Sequence, residues 1–113
     1  MRTPLRGEIW NVDLNPTRGH EQAGRRPCLI LSDDIYNQGP AGKHIVVPVT
    51  SRDKGIPYHV KVTPPEGGLR LASYLMCDDI RCVSKDRFEN QLGSVSSQTL
   101  RAIQDHLEML LGF

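Results

Sequence analysis

The sequence predicts a mainly β domain finished by one C-terminal helix, with the strands forming a small barrel or sandwich. Three observations predict it. Short apolar segments, β-branched or alternating with polar residues, recur at close spacing and are separated by Gly, Pro and Asp. Near the end the period changes, and Leu100, Ile103, Leu107, Leu110 and Leu111 fall on one helical face. At 113 residues and 38% hydrophobic content, the chain is sized for a single domain (1–113) with one core and needs no disulfide scaffold.

The elements follow in order. Residues 8–14 (EIWNVDL) set Ile9, Val12 and Leu14 around Trp10 and read as a strand. Residues 15–26 (NPTRGHEQAGRR) form a long polar loop with nothing apolar larger than Ala. A connection of about a dozen residues is uncommon in a compact domain and is functional more often than a short one. Residues 27–31 (PCLIL) read as a strand buried on both faces, after which Ser32, Asp33 and Asp34 supply a cap for a brief helical turn through Asn37. A Gly/Pro turn leads to residues 44–50 (HIVVPVT), a β-branched strand in which Pro48 lacks an N–H and implies an edge position or a bulge. A second polar loop, 51–58 (SRDKGIPY), precedes the alternating strand 58–63, a turn at 64–68, and short strands at 73–76 and 80–83. The closing helix takes Ser96 or Ser97 as N-cap and stops at Gly112. Its apolar stripe must cover either the open side of the strands or a second subunit.

Fourteen Lys and Arg against thirteen Asp and Glu leave a net charge of only +1, so no overall positive field announces a nucleic-acid partner and any such partner needs a local patch. The basic end is the front: Arg2, Arg6, Arg18, Arg25 and Arg26 face only Glu8, Asp13 and Glu21 in residues 1–30. Cys28, Cys77 and Cys82 are an odd number without C-x-x-C spacing, which reads as reduced, mostly buried thiols. No apolar run approaches the ~18 residues of a membrane span, and the expected location is the cytoplasm.

The polar loops carry the candidate chemistry. Arg25-Arg26-Pro27 ends the long loop and enters a buried strand, so a planar, permanently charged fork at a strand mouth can clamp a phosphate; the plainer alternative is two solvated arginines. Glu21 in the same loop is placed to accept a proton, or is a surface charge. Thr50 and Ser51 offer hydroxyls at a strand end, either to phosphate oxygens or simply to the turn. His20 sits in the long loop and His59 after the second. Neighbouring residues on a strand point to opposite faces, so neither Asp33-Asp34 nor Asp78-Asp79 converges on one ion, and no metal or other cofactor is expected. Nucleotide P-loop, serine-hydrolase and dinucleotide motifs do not occur.

Taken together, Arg6-Gly7-Glu8-Ile9-Trp10, Val12-Asp13-Leu14-x-Pro16, Gly19-x-Glu21-Gln22, Arg26-Pro27 with its apolar run to Ser32, and Val47-Pro48-Val49-Thr50-Ser51 resemble, in order and spacing, the MazF/PemK-like toxins of type II toxin–antitoxin pairs. Ile80-Arg81, Lys85-x-Arg87 and the final helix extend the resemblance over nearly the whole chain. It implies an SH3-like barrel that pairs as a homodimer, cuts single-stranded RNA without a metal, and is held by a MazE-like antitoxin with an acidic tail. Arg26 and Thr50 then take the catalytic positions, with Glu21 as the third. His20, Gln22, Arg25, Ser51, Arg52, Lys54, His59, Asp79 and Arg81 are the expected RNA-binding residues. Two departures stand out: Asp79 replaces the Gln that many relatives have before the Ile-Arg step, and His20 stands where many have a small residue. A barrel of this kind is also similar to CcdB toxins, which bind gyrase instead of cutting RNA, so a binding module is the alternative.

Overall fold

The structure, a computed structural model, describes residues 2–15, 19–20 and 24–113. Seven antiparallel strands form an open, barrel-like sheet: β1 (Glu8–Asp13), β2 (Arg25–Ile30), β3 (Lys43–Thr50), β4 (His59–Val62), β5 (Ser73–Met76), β6 (Arg81–Ser84) and β7 (Phe88–Ser94). Their order is β4-β5-β3-β2-β1-β7, with β6 paired to β3 off this path. Two helices complete the fold, α1 (Asp34–Asn37) and α2 (Ser97–Leu111).

Period-two alternation divides the core between the two sides of the central strands. Ile9, Leu29, Val47 and Val49 join Val60, Val62, Leu75 and the α2 residue Ile103 in one buried cluster. Trp10, Val12, Cys28, Ile30 and Val46 join Val83 and Phe88 in the other. Each fully buried aliphatic side chain, such as Ile9, Leu29 or Ile103, contributes about 1.5–3 kcal/mol relative to exposure. Leu100, Ala102 and Leu107 also pack on the first cluster, so most of the helical stripe covers this chain's own sheet. Asp33 caps α1 by accepting from Ile35 N at 2.9 Å. Ser96 caps α2, its hydroxyl accepting from Thr99 N at 3.2 Å, and Gly112 ends that helix at φ +78°.

Three local expectations need correction. β2 begins at Arg25, so Arg25 and Arg26 belong to a strand and not to the loop before it. β3 is no edge strand, since it pairs with β2 on one side and with β6 and then β5 on the other. On that second side the pairing passes from Val46 with β6 to Val49 with β5, and Pro48 stands in the gap, where an N–H is dispensable. The third correction is β7. Only two large apolar residues mark FENQLGS, and the strand exists because the outer edge of β1 needs a partner. Its register shifts twice along β1, and Gly93 lets it lie against the backbone of the 67–68 turn, where a β-carbon would come within 2.6 Å of Gly67 C and Gly68 N.

Candidate active site

β2 and β3 build the site from their ends. Their ladder pairs Ile30 with Val46, Leu29 with Val47 and Cys28 with Pro48. The ladder ends there, two residues short of Arg26 on β2 and of Thr50 on β3. Residues distant in sequence thereby meet at one strand mouth, and both line two adjoining grooves. One, about 470 Å³, is bordered by Arg25, Arg26, Thr50, Ser51, Arg70 and Leu71. The other, about 300 Å³, is strongly polar and bordered by Arg26, Thr50, Ser51, Arg52 and Lys54. A chain of net charge +1 thus sets Arg25, Arg26, Arg52, Lys54 and Arg70 around two hydroxyls, the local patch that a polyanion requires.

Thr50 is 7% exposed, and its Oγ1 accepts from Arg52 N at 3.2 Å. That bond starts the 51–58 loop and leaves the O–H available as a donor. Two residues along β2 from Arg26, the Cys28 thiol is pushed up to about 12 by burial, against the opposing charges of Arg81 and Arg26. Arg25 is exposed and bonded to Glu89 at 2.7 Å. At the base of the preceding loop, Arg87 donates to the carbonyl of Asp13 at 3.1 Å and to that of Asn15, while Leu14 N donates to Gly24 O at 2.9 Å.

A second group adjoins the first from the far side of β3. Cys77–Asp79 forms a 3₁₀ turn, so the Asp78-Asp79 doublet sits on a turn and not on a strand. His59 Nε2 donates to Asp78 Oδ1 at 2.8 Å with the His59 side chain 3% exposed. Burial, followed by the charge of Asp78, raises the Asp79 carboxyl above its ordinary value, against the pull of Lys54, His59 and Arg26.

Of the residues expected from sequence, Arg25, Arg26, Thr50, Ser51, Arg52 and Lys54 line the grooves. His59 on β4, Asp79 on the Cys77–Asp79 turn and Arg81, paired with Val46 at the start of β6, are not among the residues that line them. His20 is exposed in a turn, and no contact joins it to the grooves among the described residues. Glu21 and Gln22 lie outside the described residues. Arg70 and Leu71 are groove residues that sequence reasoning missed. The signal was present in Leu69-Arg70-Leu71, a charged residue between two leucines just after a Gly-Gly turn, and Leu71 is 64% exposed at the rim. No group of three or more His, Cys, Asp or Glu side chains suited to a metal ion occurs among the described residues.

Known proteins resemble this chain along nearly its whole length. Endoribonuclease MazF9 of Mycobacterium tuberculosis is 34% identical over 111 residues, covering 94% of each chain. The crystal structure of MazF from Deinococcus radiodurans superposes with a TM-score of 0.89 at 33% identity, covering all of both chains. A mycobacterial endoribonuclease solved in complex with its cognate antitoxin matches with a TM-score of 0.78 at 28% identity, covering 100% of this chain and 97% of that one. Residues 5–111 match the family described as PemK-like, MazF-like toxin of type II toxin-antitoxin system, and the chain belongs to that family.

Proposed function

We propose that this protein is the toxin of a type II toxin–antitoxin pair, a cytoplasmic endoribonuclease that cuts single-stranded RNA without a metal ion and so halts translation and growth. The observation that supports it most is the meeting of Arg26 and Thr50 in one cation-lined groove of a chain that belongs to the family. The ribose 2′-OH attacks the adjacent phosphorus, the P–O5′ bond breaks, and the products are a 2′,3′-cyclic phosphate and a 5′-OH. Arg26 holds the non-bridging oxygens and offsets the charge that builds on them, a role suited to a fork that does not give up its proton. Thr50 donates its hydroxyl to one of those oxygens. Glu21 is the proposed base for the 2′-OH. DNA lacks that nucleophile and is spared.

The experiment is incubation of the purified chain with defined single-stranded RNAs in EDTA. Cleavage leaving 5′-OH ends is expected, with Arg26→Ala about 10²–10³-fold slower and Arg26→Lys poorly active because it lacks the fork. RNA left intact across many sequences, or an Arg26→Ala variant that cuts as fast as the parent, overturns the assignment.

Two partners belong to the same proposal. The cations around the groove suit the acidic tail of a MazE-like antitoxin laid across it, and such a peptide is expected to inhibit cleavage in proportion to its binding. Met109, Leu111 and Phe113 remain 64%, 51% and 93% exposed at the end of α2, which favours a homodimer. Light scattering at micromolar concentration is expected to give twice the 12.7 kDa chain mass, and a monomer mass contradicts it.

A further inference from the structure

The groove of about 470 Å³ has a wall that the proposed chemistry leaves unused. We propose that Arg70 and Leu71 hold the nucleotide next to the scissile linkage, Arg70 gripping its phosphate and Leu71 lying against the face of its base. This inference rests on the endoribonuclease function proposed above.

The fold puts these two residues there. β5 pairs Tyr74 with Thr50 and Leu75 with Val49, so the chain just before β5 enters beside the end of β3. Arg70 and Leu71 line the same groove as Arg26, Thr50 and Ser51. The backbone that carries them is held at both ends. Leu69 is buried in the core cluster of Ile9 and Val49, and its N–H donates to Glu66 O at 3.3 Å. The buried Ser73 donates its hydroxyl to Leu71 O at 2.9 Å. Both residues between these anchors are nonetheless exposed. One exposed leucine says little by itself. A leucine and an arginine presented together from a pinned segment, into the groove of the reacting pair, suit a ligand with an apolar face and a negative charge.

Charge chooses the occupant. Arg25, Arg26 and Arg70 line this groove, and no Asp or Glu lines it among the described residues. The neighbouring groove around Arg25 is lined by Asp13, Asp86 and Glu89, which repel a phosphodiester, and Arg25 is itself bonded to Glu89 at 2.7 Å. Arg70 forms no ion pair among the described residues. An RNA strand leaving Arg26 and Thr50 on this side therefore meets Arg70 as a cation with no carboxylate partner. A guanidinium takes a phosphate through two parallel N–H bonds, and an unpaired base is free to lay its face on a side chain. The groove on the other side, with Arg52 and Lys54, offers cations but no apolar side chain.

The test starts from a short RNA that the wild-type chain cuts, its site located by sequencing 5′-OH ends. In one series the linkage on either side of the cut becomes a neutral methylphosphonate beside a 2′-deoxy nucleotide, with the 2′-deoxy phosphate as control. In the other, a flanking nucleotide is made abasic. On one side of the cut, each change is expected to lower kcat/KM roughly three- to tenfold, through KM. Arg70→Ala is expected to lose the response to the neutral linkage and keep the response to the abasic nucleotide, and Leu71→Ser to do the reverse. Lys54→Ala, in the other groove, is expected to keep both. A merely structural role would not exchange the two responses. Arg70→Gln and Leu71→Ala serve where the first variants fail to fold, and the modified RNAs need no variant. Cleavage indifferent to both modifications on both sides overturns this inference alone, as do Arg70 and Leu71 variants that keep the parent's pattern. Variants that cut every RNA as the parent does, yet bind a Glu-rich peptide less tightly, assign the wall to the antitoxin and overturn it too. A wild-type chain that cuts no RNA overturns the endoribonuclease assignment first, and this inference with it.

Discussion

Thr50 occupies the last position of β3, almost buried, with Oγ1 accepting from the Arg52 amide. Thr50→Val keeps the β-branched shape and removes the hydroxyl, so two effects separate cleanly. Stability is expected to drop by about 0.5–1.5 kcal/mol for one lost hydrogen bond, seen as a lower urea midpoint. Turnover on a defined RNA is expected to fall about tenfold or more if the O–H stabilises the reacting phosphate, with Thr50→Ser close to the parent. A Val variant that loses stability but not turnover would confine Thr50 to the loop it anchors. That Arg26 and Thr50 line one groove was legible in outline, because each stands where a polar residue meets an apolar run and the family resemblance pairs the two. Asp79 was legible as a departure only. Its turn and its tied neighbour are products of tertiary placement, which no local pattern encodes.

The strands divide in the same way. Those rich in Val and Ile announced themselves, and α2 showed both its stripe and its stop signal. β7 did not, because pairing with β1 and contact with the 67–68 turn, rather than its own side chains, make it a strand. Pro48 misled for a related reason: a missing N–H forbids a ladder bond, not a central strand, and the change of partner along β3 supplies a place that needs none. The contact of β7 with the turn yields its own expectation. Gly93→Ala pushes a methyl against turn backbone at 2.6 Å, and overpacking of this kind costs about 1–3 kcal/mol. Chemical denaturation is expected to show a lower midpoint with an unchanged slope. An unaltered midpoint would mean that the turn yields freely.

At the scale of the whole molecule, acid acts twice. Burial holds the His44 imidazole below its ordinary value of 6.5, so the unfolded chain takes up a proton near that pH which the folded chain declines, and stability falls as pH drops through 6.5. Glu66 is held below 4.5, chiefly by the Thr99 hydroxyl and also by Ser96 N. In Glu8, burial raises the carboxyl but is outweighed by bonds from Trp10, Leu5 and Arg2. These carboxylates stay ionised in the folded chain after the unfolded chain has protonated, so a second loss sets in below about pH 4.5. Urea midpoints between pH 8 and 3.5 are expected to decline in these two stages, with His44→Gln flattening the first. A single decline confined to carboxylate pH would remove His44 from the account. β3 has another consequence. It alone belongs both to the ladder with β1, β2, β6 and β7 and to the ladder with β4 and β5, and it ends at Thr50. Arg26 arrives from the first ladder, and the Cys77–Asp79 turn follows the second. The groove between the ladders takes walls from both, so one shared strand keeps its two sides in register.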